Sequence, residues 1–129
     1  MRLINNLSDL SGRALLSAIF ISAGFSKLGA GYAGTQGYME AMGVSGSLLP
    51  LVIATEVLAG IALLVGFQAR IAAFLLAGFS LLSAMLFHFN FSDQMQSILF
   101  MKNLAIAGGL LMVVSQGAGH WSIDRLRQK

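Results

Sequence analysis

Four apolar segments, each long enough to cross a bilayer, carry ionisable residues inside them or at their ends. The segments cover residues 10–29, 48–66, 71–89 and 98–115, and crossing ~30 Å of hydrocarbon takes about 20 helical residues. A charge at the centre of a spanning helix costs roughly 2.5–3.5 kcal/mol on insertion scales, so such residues normally face a protein interior and pair with one another. The sequence therefore predicts that any functional site lies at these residues.

Composition supports the same fold class. Of the 129 residues, 57% are hydrophobic and only 10% are charged, whereas a soluble domain carries about 25% charged residues. We therefore predict an all-α integral membrane four-helix bundle that forms a single domain over residues 1–129. The net charge of +3 comes from scattered basic residues, which argues against a nucleic-acid partner. Cysteine is absent, which excludes disulfide exchange by this chain alone.

The connection between spans one and two contains a further short helix. Residues 35–42, followed by Gly43, have the pattern of an interfacial helix with a glycine stop. Lysine and arginine counts predict the orientation, because one side of the membrane would hold both termini and the turn between spans two and three. That side carries Arg2, Arg70, Arg125, Arg127 and Lys129. By the positive-inside rule, we expect both termini in the cytoplasm.

The ionisable residues of the spans are expected to converge in the outer half of the bundle. Glu56 lies about 8 residues, or roughly 12 Å, below the outer surface, and we predict it to be the central proton-accepting or ion-pairing group. The other residues of the candidate site are Lys27, Lys102, Arg13, His88 and Asn103. Arg13 is expected to reach Glu56 from the cytoplasmic side. The alternative is that these charges only pair with one another, or that the lysines extend to the headgroups.

Motifs for several other chemistries are missing from the sequence. There is no nucleophilic triad, phosphate-binding glycine loop or dinucleotide fingerprint. His88 and His120 would lie on opposite sides of the membrane and cannot ligate one haem, so no metal is expected. What remains is a polar pocket with a net positive bias, which suits an anion, a polar headgroup or the carbonyl oxygens of a quinone.

Motifs along nearly the whole chain resemble one family. They are Gly12-Arg13, Gly24 and Lys27, the segment from Tyr32 to Gly43, Glu56, Phe87-His88, Phe100-Met-Lys-Asn103 and Ser122-Ile-Asp-Arg-Leu126. On these residues the chain resembles the DoxX family of small bacterial inner-membrane proteins, in particular its YqjF-type branch. The resemblance implies a four-helix membrane bundle, similar in architecture to quinone-linked thiol oxidoreductases. It also implies a link to thiosulfate:quinone oxidoreductase subunits and to complexes that handle oxidative or thiol stress.

Together these observations predict a multi-pass protein of the bacterial inner membrane. We expect a quinone- or anion-interacting subunit of a redox or oxidative-stress-linked complex, an oxidoreductase subunit rather than a complete enzyme. Quinone is the candidate cofactor, and the expected partners are the lipid bilayer, redox subunits and a second copy of the chain. Two other functions stay open. One is a small transporter or permeation protein for a weak acid or aromatic compound, and the other is a non-catalytic scaffold that recruits partners through residues 32–43.

Overall fold

The computed structural model describes residues 2–127, which fold into helices and their connections. The helices are α1 (Arg2–Ser26), α2 (Ala30–Ala41), α3 (Gly46–Val65), α4 (Ala69–Phe87), α5 (Gln94–Gln116) and α6 (Ile123–Arg127). Helices α1, α3, α4 and α5 form the predicted four-helix bundle, and α2 is the predicted short helix after the first of them. Within α3, the first turn is 3₁₀-helical and residues Thr55–Ala59 form a π-helical turn.

Three of the helices, α3, α4 and α5, are each long and apolar enough to cross a membrane. Helix α1 meets the same criterion together with α2, from which it is bent by 98°. Helix α1 begins at Arg2, eight residues before the predicted segment. The reason is that no glycine or proline interrupts the chain before Gly12, and leucine and isoleucine continue the helix.

The bend after α1 is set by one glycine. Gly29 has a φ of +60°, a conformation that glycine adopts without steric cost. Helix α2 then begins at Ala30, five residues before the predicted start at residue 35, because Gly31 is helical rather than part of the turn. The predicted glycine stop is present, since Gly43 has a φ of +83° directly after the helix.

The core lies between α1, α3, α4 and α5 and is built largely from small residues. It contains Phe20, Ala59, Leu63, Ala72, Ala73, Leu76, Ala77, Ala107 and Leu110. Alanines at these positions let the helix backbones approach closely. A stripe of small residues on α4 faces this core, since Ala73, Ala77, Ser80 and Ala84 are all buried.

The chain after α5 folds back onto the turn between α3 and α4. The carboxylate of Asp124 accepts hydrogen bonds from the backbone N–H groups of Gln68 (2.6 Å) and Ala69 (2.8 Å). Its own backbone N–H donates to the carbonyl of Gly66 at 2.8 Å. Because the first N–H groups of a helix have no partner within it, Asp124 caps α4 from the C-terminal segment. This contact holds the C-terminal segment and the α3–α4 turn at the same end of the bundle.

Replacing Asp124 with alanine should therefore weaken both the helix start and the fold of the C-terminal segment. We expect a loss of about 1 kcal/mol in the free energy of unfolding, as for other caps, and faster trypsin cleavage at Arg125 and Arg127. Denaturant titration in detergent micelles and timed proteolysis measure the two effects. Asp124→Asn keeps an acceptor oxygen and should lose less. An Asp124→Ala protein as stable and as protease-resistant as wild type would contradict the assignment of the cap.

Candidate functional site

The π-helical turn of α3 positions Glu56. A π turn adds one residue to an α-helix and often occurs at functional sites. Glycines let α1 pack directly against this turn: a Cβ at Gly24 would lie 3.2 Å from the Cβ of Glu56, and one at Gly60 would lie 2.9 Å from a side-chain carbon of Ile21. Glu56 is consequently buried under α1, with 4% of its surface exposed.

Lys27, directly after α1, provides the charge opposite to that carboxylate. Its Nζ lies 2.7 Å from Oε1 of Glu56 and also donates to the carbonyl of Ala23 at 3.3 Å. The side chain of Lys27 is 22% exposed and that of Glu56 is 5% exposed. A buried carboxylate is stable only when it is paired and hydrogen-bonded. The structure thus brings Lys27 and Glu56 into contact, while their function stays a prediction.

His88, at the end of α4, joins the pair across a cavity of about 180 Å³. The cavity is lined by Lys27, Thr35, Tyr38, Met39, Val52, Glu56, Phe79, Ser83, Phe87 and His88. Nδ1 of His88 lies 2.7 Å from Oε1 of Gln96, at the start of α5. The ring of Tyr38 stacks on that of Phe87, with centroids 5.5 Å apart. We call this space the polar cavity.

An apolar cavity of about 200 Å³ adjoins the polar cavity. The two share Met39, Val52, Phe79, Ser83 and Phe87 in their walls. The apolar cavity is otherwise lined by Val44, Leu48, Leu51, Thr55, Leu82 and Leu86, of which the four leucines are exposed on the outside of the bundle. A molecule in the polar cavity therefore has apolar space beside it, towards the region that lipid chains would occupy.

Arg13 does not reach Glu56, contrary to the sequence-based prediction. Its side chain is 2% exposed and its Nη1 donates to the carbonyls of Leu63 (3.2 Å) and Leu64 (2.7 Å), while Nη2 donates to the carbonyl of Trp121. Leu63 lies seven residues after Glu56, which is about 11 Å along a helix. The carbonyls in the last turn of a helix have few backbone partners, and within the described residues that of Leu63 accepts only the N–H of Gly66, at 3.2 Å, from the backbone. The guanidinium of Arg13 binds these carbonyls instead of the carboxylate.

Lys102 and Asn103 also lie away from the polar cavity. Lys102 is exposed on α5 and has no hydrogen bond or ion pair within residues 2–127. At 100° per residue it lies about 140° around the helix from Ala107, which faces the core. Asn103 donates its Nδ2 hydrogen to the carbonyl of Ser80 at 3.2 Å and so connects α5 to α4. Of the predicted residues, the structure assembles Lys27, Glu56 and His88 in one place.

Comparison with known proteins gives the family. Residues 8–89 match the DoxX family model. The chain belongs to the DoxX family. It is 50% identical over 129 residues to "Inner membrane protein YqjF" of Escherichia coli (strain K12), covering 100% of this chain and 98% of that protein. It is 35% identical over 124 residues to "Inner membrane protein YphA" of the same organism, covering 90% and 87%. No solved structure matches it.

These matches confirm the resemblance seen in the motifs, and with the apolar helices they make this DoxX protein an integral inner-membrane protein. The matched range contains Lys27, Glu56 and His88, and it ends before α5. Gln96, which the sequence analysis did not single out, therefore lies outside it. The sequence did contain a signal for Gln96, because aspartate is a preferred residue at the start of a helix. Asp93 caps α5 by accepting hydrogen bonds from the N–H groups of Met95 and Gln96. Gln96 therefore lies in the first turn of α5, near the end of α4.

Thr35, Tyr38 and Met39 were also missed as residues of the site. They lie on one face of α2 at spacings of three and four residues, the spacing of a common helix face, and all three line the polar cavity. That pattern was visible in the sequence. What the sequence did not contain was the 98° bend, which turns this face of α2 onto α3 and α4.

Proposed function

We propose that this DoxX protein binds a lipophilic ring compound of the quinone type in the polar cavity, as a subunit of a redox or oxidative-stress-linked complex of the inner membrane. One observation carries the proposal: the Lys27–Glu56 pair and His88 stand on the wall of a cavity whose neighbour is apolar and borders the outside of the bundle. A compound with a polar ring and an apolar substituent matches this pair of adjoining cavities, one polar and one apolar. The ring would contact the polar groups and the substituent would lie among the leucines.

The charge of the polar cavity favours such a ring over an inorganic anion. Lys27 is paired with Glu56 at 2.7 Å, so the two charges cancel. Arg13 and Lys102, which would have made the pocket positive, lie elsewhere. An anion would have to compete with a buried carboxylate for the one lysine, and like charges that close repel each other. A neutral ring compound meets no such penalty.

The groups around the polar cavity could bind a ring oxygen and exchange protons with it. Lys27 keeps one N–H free after its two hydrogen bonds, and Oε2 of Glu56 has no hydrogen-bond partner within residues 2–127. His88 adds an imidazole, whose two ring nitrogens can donate or accept a hydrogen bond. Reduction and oxidation of a quinone move protons as well as electrons, and side chains of this kind are the usual donors and acceptors. The electrons would pass to or from another subunit.

We also infer that both termini are cytoplasmic. The hydrogen bonds of Asp124 to Gln68 and Ala69 hold the C-terminal segment and the α3–α4 turn at one end. Arg70, Arg125 and Arg127 therefore lie at that end together, and the positive-inside rule assigns the basic end to the cytoplasm. The polar cavity would then open in the outer half of the membrane.

The proposal is tested by the thermal stability of the purified protein with short-chain quinones, thiosulfate and other small anions. A ligand that binds only the folded protein adds about 2.7 kcal/mol of stability at a concentration of 100 Kd. We expect quinones to raise the Tm of wild type and Glu56→Gln to lose most of that increase while still inserting into the membrane. Glu40→Gln changes an exposed glutamate of α2 and should behave as wild type.

Three results would overturn or change the proposed function. Stabilisation by thiosulfate or chloride alone would assign the cavity to an anion. Equal quinone binding by Glu56→Gln would make the Lys27–Glu56 pair purely structural. Quinone-type or weak-acid flux across proteoliposomes that disappears in Glu56→Gln would identify a permeation protein instead of a redox subunit.

A further inference from the structure

Gln96 fixes which nitrogen of His88 carries a proton. Nδ1 lies 2.7 Å from the side-chain oxygen of Gln96, and an amide oxygen only accepts hydrogen bonds, so Nδ1 must be the donor. In the neutral ring, Nε2 then has a lone pair, and it has no hydrogen-bond partner among residues 2–127. Gln96 itself is absent from the walls of the polar cavity, whereas His88 lines it. Gln96 thus acts on the cavity through His88.

The remaining groups of the polar cavity are also mainly acceptors. Glu56 uses Oε1 for Lys27 and keeps Oε2 free. The hydroxyl of Thr35 donates to a backbone carbonyl of its own helix at 2.8 Å, so its oxygen can only accept from a ligand. Lys27 has one N–H left, and the hydroxyl of Tyr38 donates to the carbonyl of Phe87 at 3.5 Å. Ser83 can act in either direction. Free acceptors therefore outnumber free donors around the cavity.

From this balance we propose that the polar cavity recognises a ring hydroxyl, so that it binds a phenol or quinol in preference to a quinone or an ether, and that Gln96 is the positioning residue for this choice. The inference rests on the proposed function, since it concerns the same cavity. A hydroxyl can donate to Nε2 of His88 or Oε2 of Glu56 and still accept from Lys27. A carbonyl or ether oxygen can only accept, so a bound ring that carries one would cover these acceptors of the cavity wall without pairing them.

Binding of three matched ligands to the purified protein in detergent micelles tests the preference. They are a 4-alkylphenol, the 4-alkylanisole with the same chain, and the benzoquinone with the same chain, measured by isothermal titration calorimetry. We expect the phenol to bind about tenfold more tightly than the anisole, because the anisole covers an acceptor of the cavity wall without donating a hydrogen bond to it. The quinone should bind more weakly than the phenol as well.

Variants of Gln96 test its part in the choice. Gln96→Leu frees Nδ1 and allows His88 to change its tautomer, so the ratio of phenol to anisole affinity should fall below that of wild type. Gln96→Glu keeps an oxygen that accepts from Nδ1 and should restore the preference. Gln94→Leu alters an exposed glutamine in the same turn of α5 and should leave the ratio unchanged. If Gln96 only stabilised the fold, replacing it would not change the ratio of phenol to anisole affinity.

The outcomes separate the two proposals. Equal affinities for phenol and anisole in wild type would overturn the hydroxyl preference. A ratio in Gln96→Leu equal to that in Gln94→Leu would overturn the role of Gln96 as its positioning residue. The proposed function would survive that result if quinones still bind and their binding depends on Glu56. If none of the ring compounds binds wild type, the proposed function fails and this inference fails with it.

Discussion

Replacing Lys27 with methionine is expected to lower the free energy of unfolding by about 3–5 kcal/mol, as when one partner of a buried ion pair is removed. Glu56 would stay under α1 with its side chain 5% exposed and with no cation near it. Methionine fills similar space, so the loss reports the missing charge rather than a cavity. Unfolding of the purified protein by SDS in mixed micelles, followed by circular dichroism, measures it.

Two further variants identify the source of this loss. Lys102→Met removes an exposed lysine that lacks a partner within the described residues, and it should change stability by no more than about 0.5 kcal/mol. Combining Lys27→Met with Glu56→Gln removes both charges, and the double variant should recover most of the stability, which gives a coupling energy from the double-mutant cycle. If Lys27→Met and Lys102→Met proved equally harmless, Lys27 would only extend to the headgroups and the ion pair would contribute nothing.

The helices of this protein could be predicted because length and hydropathy determine them. An apolar run of the length of α4 has few alternatives in a membrane, where every backbone group must be hydrogen-bonded within the segment. The predicted glycine stop follows from the same kind of rule, since Gly43 has a φ of +83°, which glycine adopts without steric cost. Glu56 was identified for a similar reason, since an acidic residue deep in a span must have a partner.

The partners of these residues could not be predicted, because they depend on the rotation of each helix. The π turn at Thr55–Ala59 adds a residue, which rotates the remainder of α3 by about 100° relative to a regular helix. No pattern in the sequence predicts this π turn. Helix α5 is apolar on most faces, so its sequence does not say that Ala107 faces inward and Lys102 outward. The C-terminal segment packs on the α3–α4 turn through a tertiary contact, which local sequence patterns do not predict. This contact and the end of α3 give Arg13 hydrogen-bond partners that lie nearer to it than Glu56.

Arg13 is consequently the residue whose loss should most disturb the basic end of the bundle. Its guanidinium binds the carbonyls of Leu63, Leu64 and Trp121, and so joins α1 to the end of α3 and to the C-terminal segment. Hydrogen bonds from a charged donor contribute about 1.5–3 kcal/mol each. We expect Arg13→Met to lower the free energy of unfolding by at least about 3 kcal/mol, with the loss of these charged hydrogen bonds as the main cause.

Trp121 reports this contact directly, because it is the only tryptophan of the chain. In Arg13→Met, the C-terminal segment should loosen, and acrylamide should quench the fluorescence of Trp121 more strongly than in wild type. Arg13→Lys keeps the charge but lacks the fork that binds several carbonyls, so its stability and quenching should be intermediate. Arg2→Met, at the exposed start of the same helix, should match wild type in both. Unchanged quenching and stability in Arg13→Met would show that the C-terminal segment is held by Asp124 without Arg13.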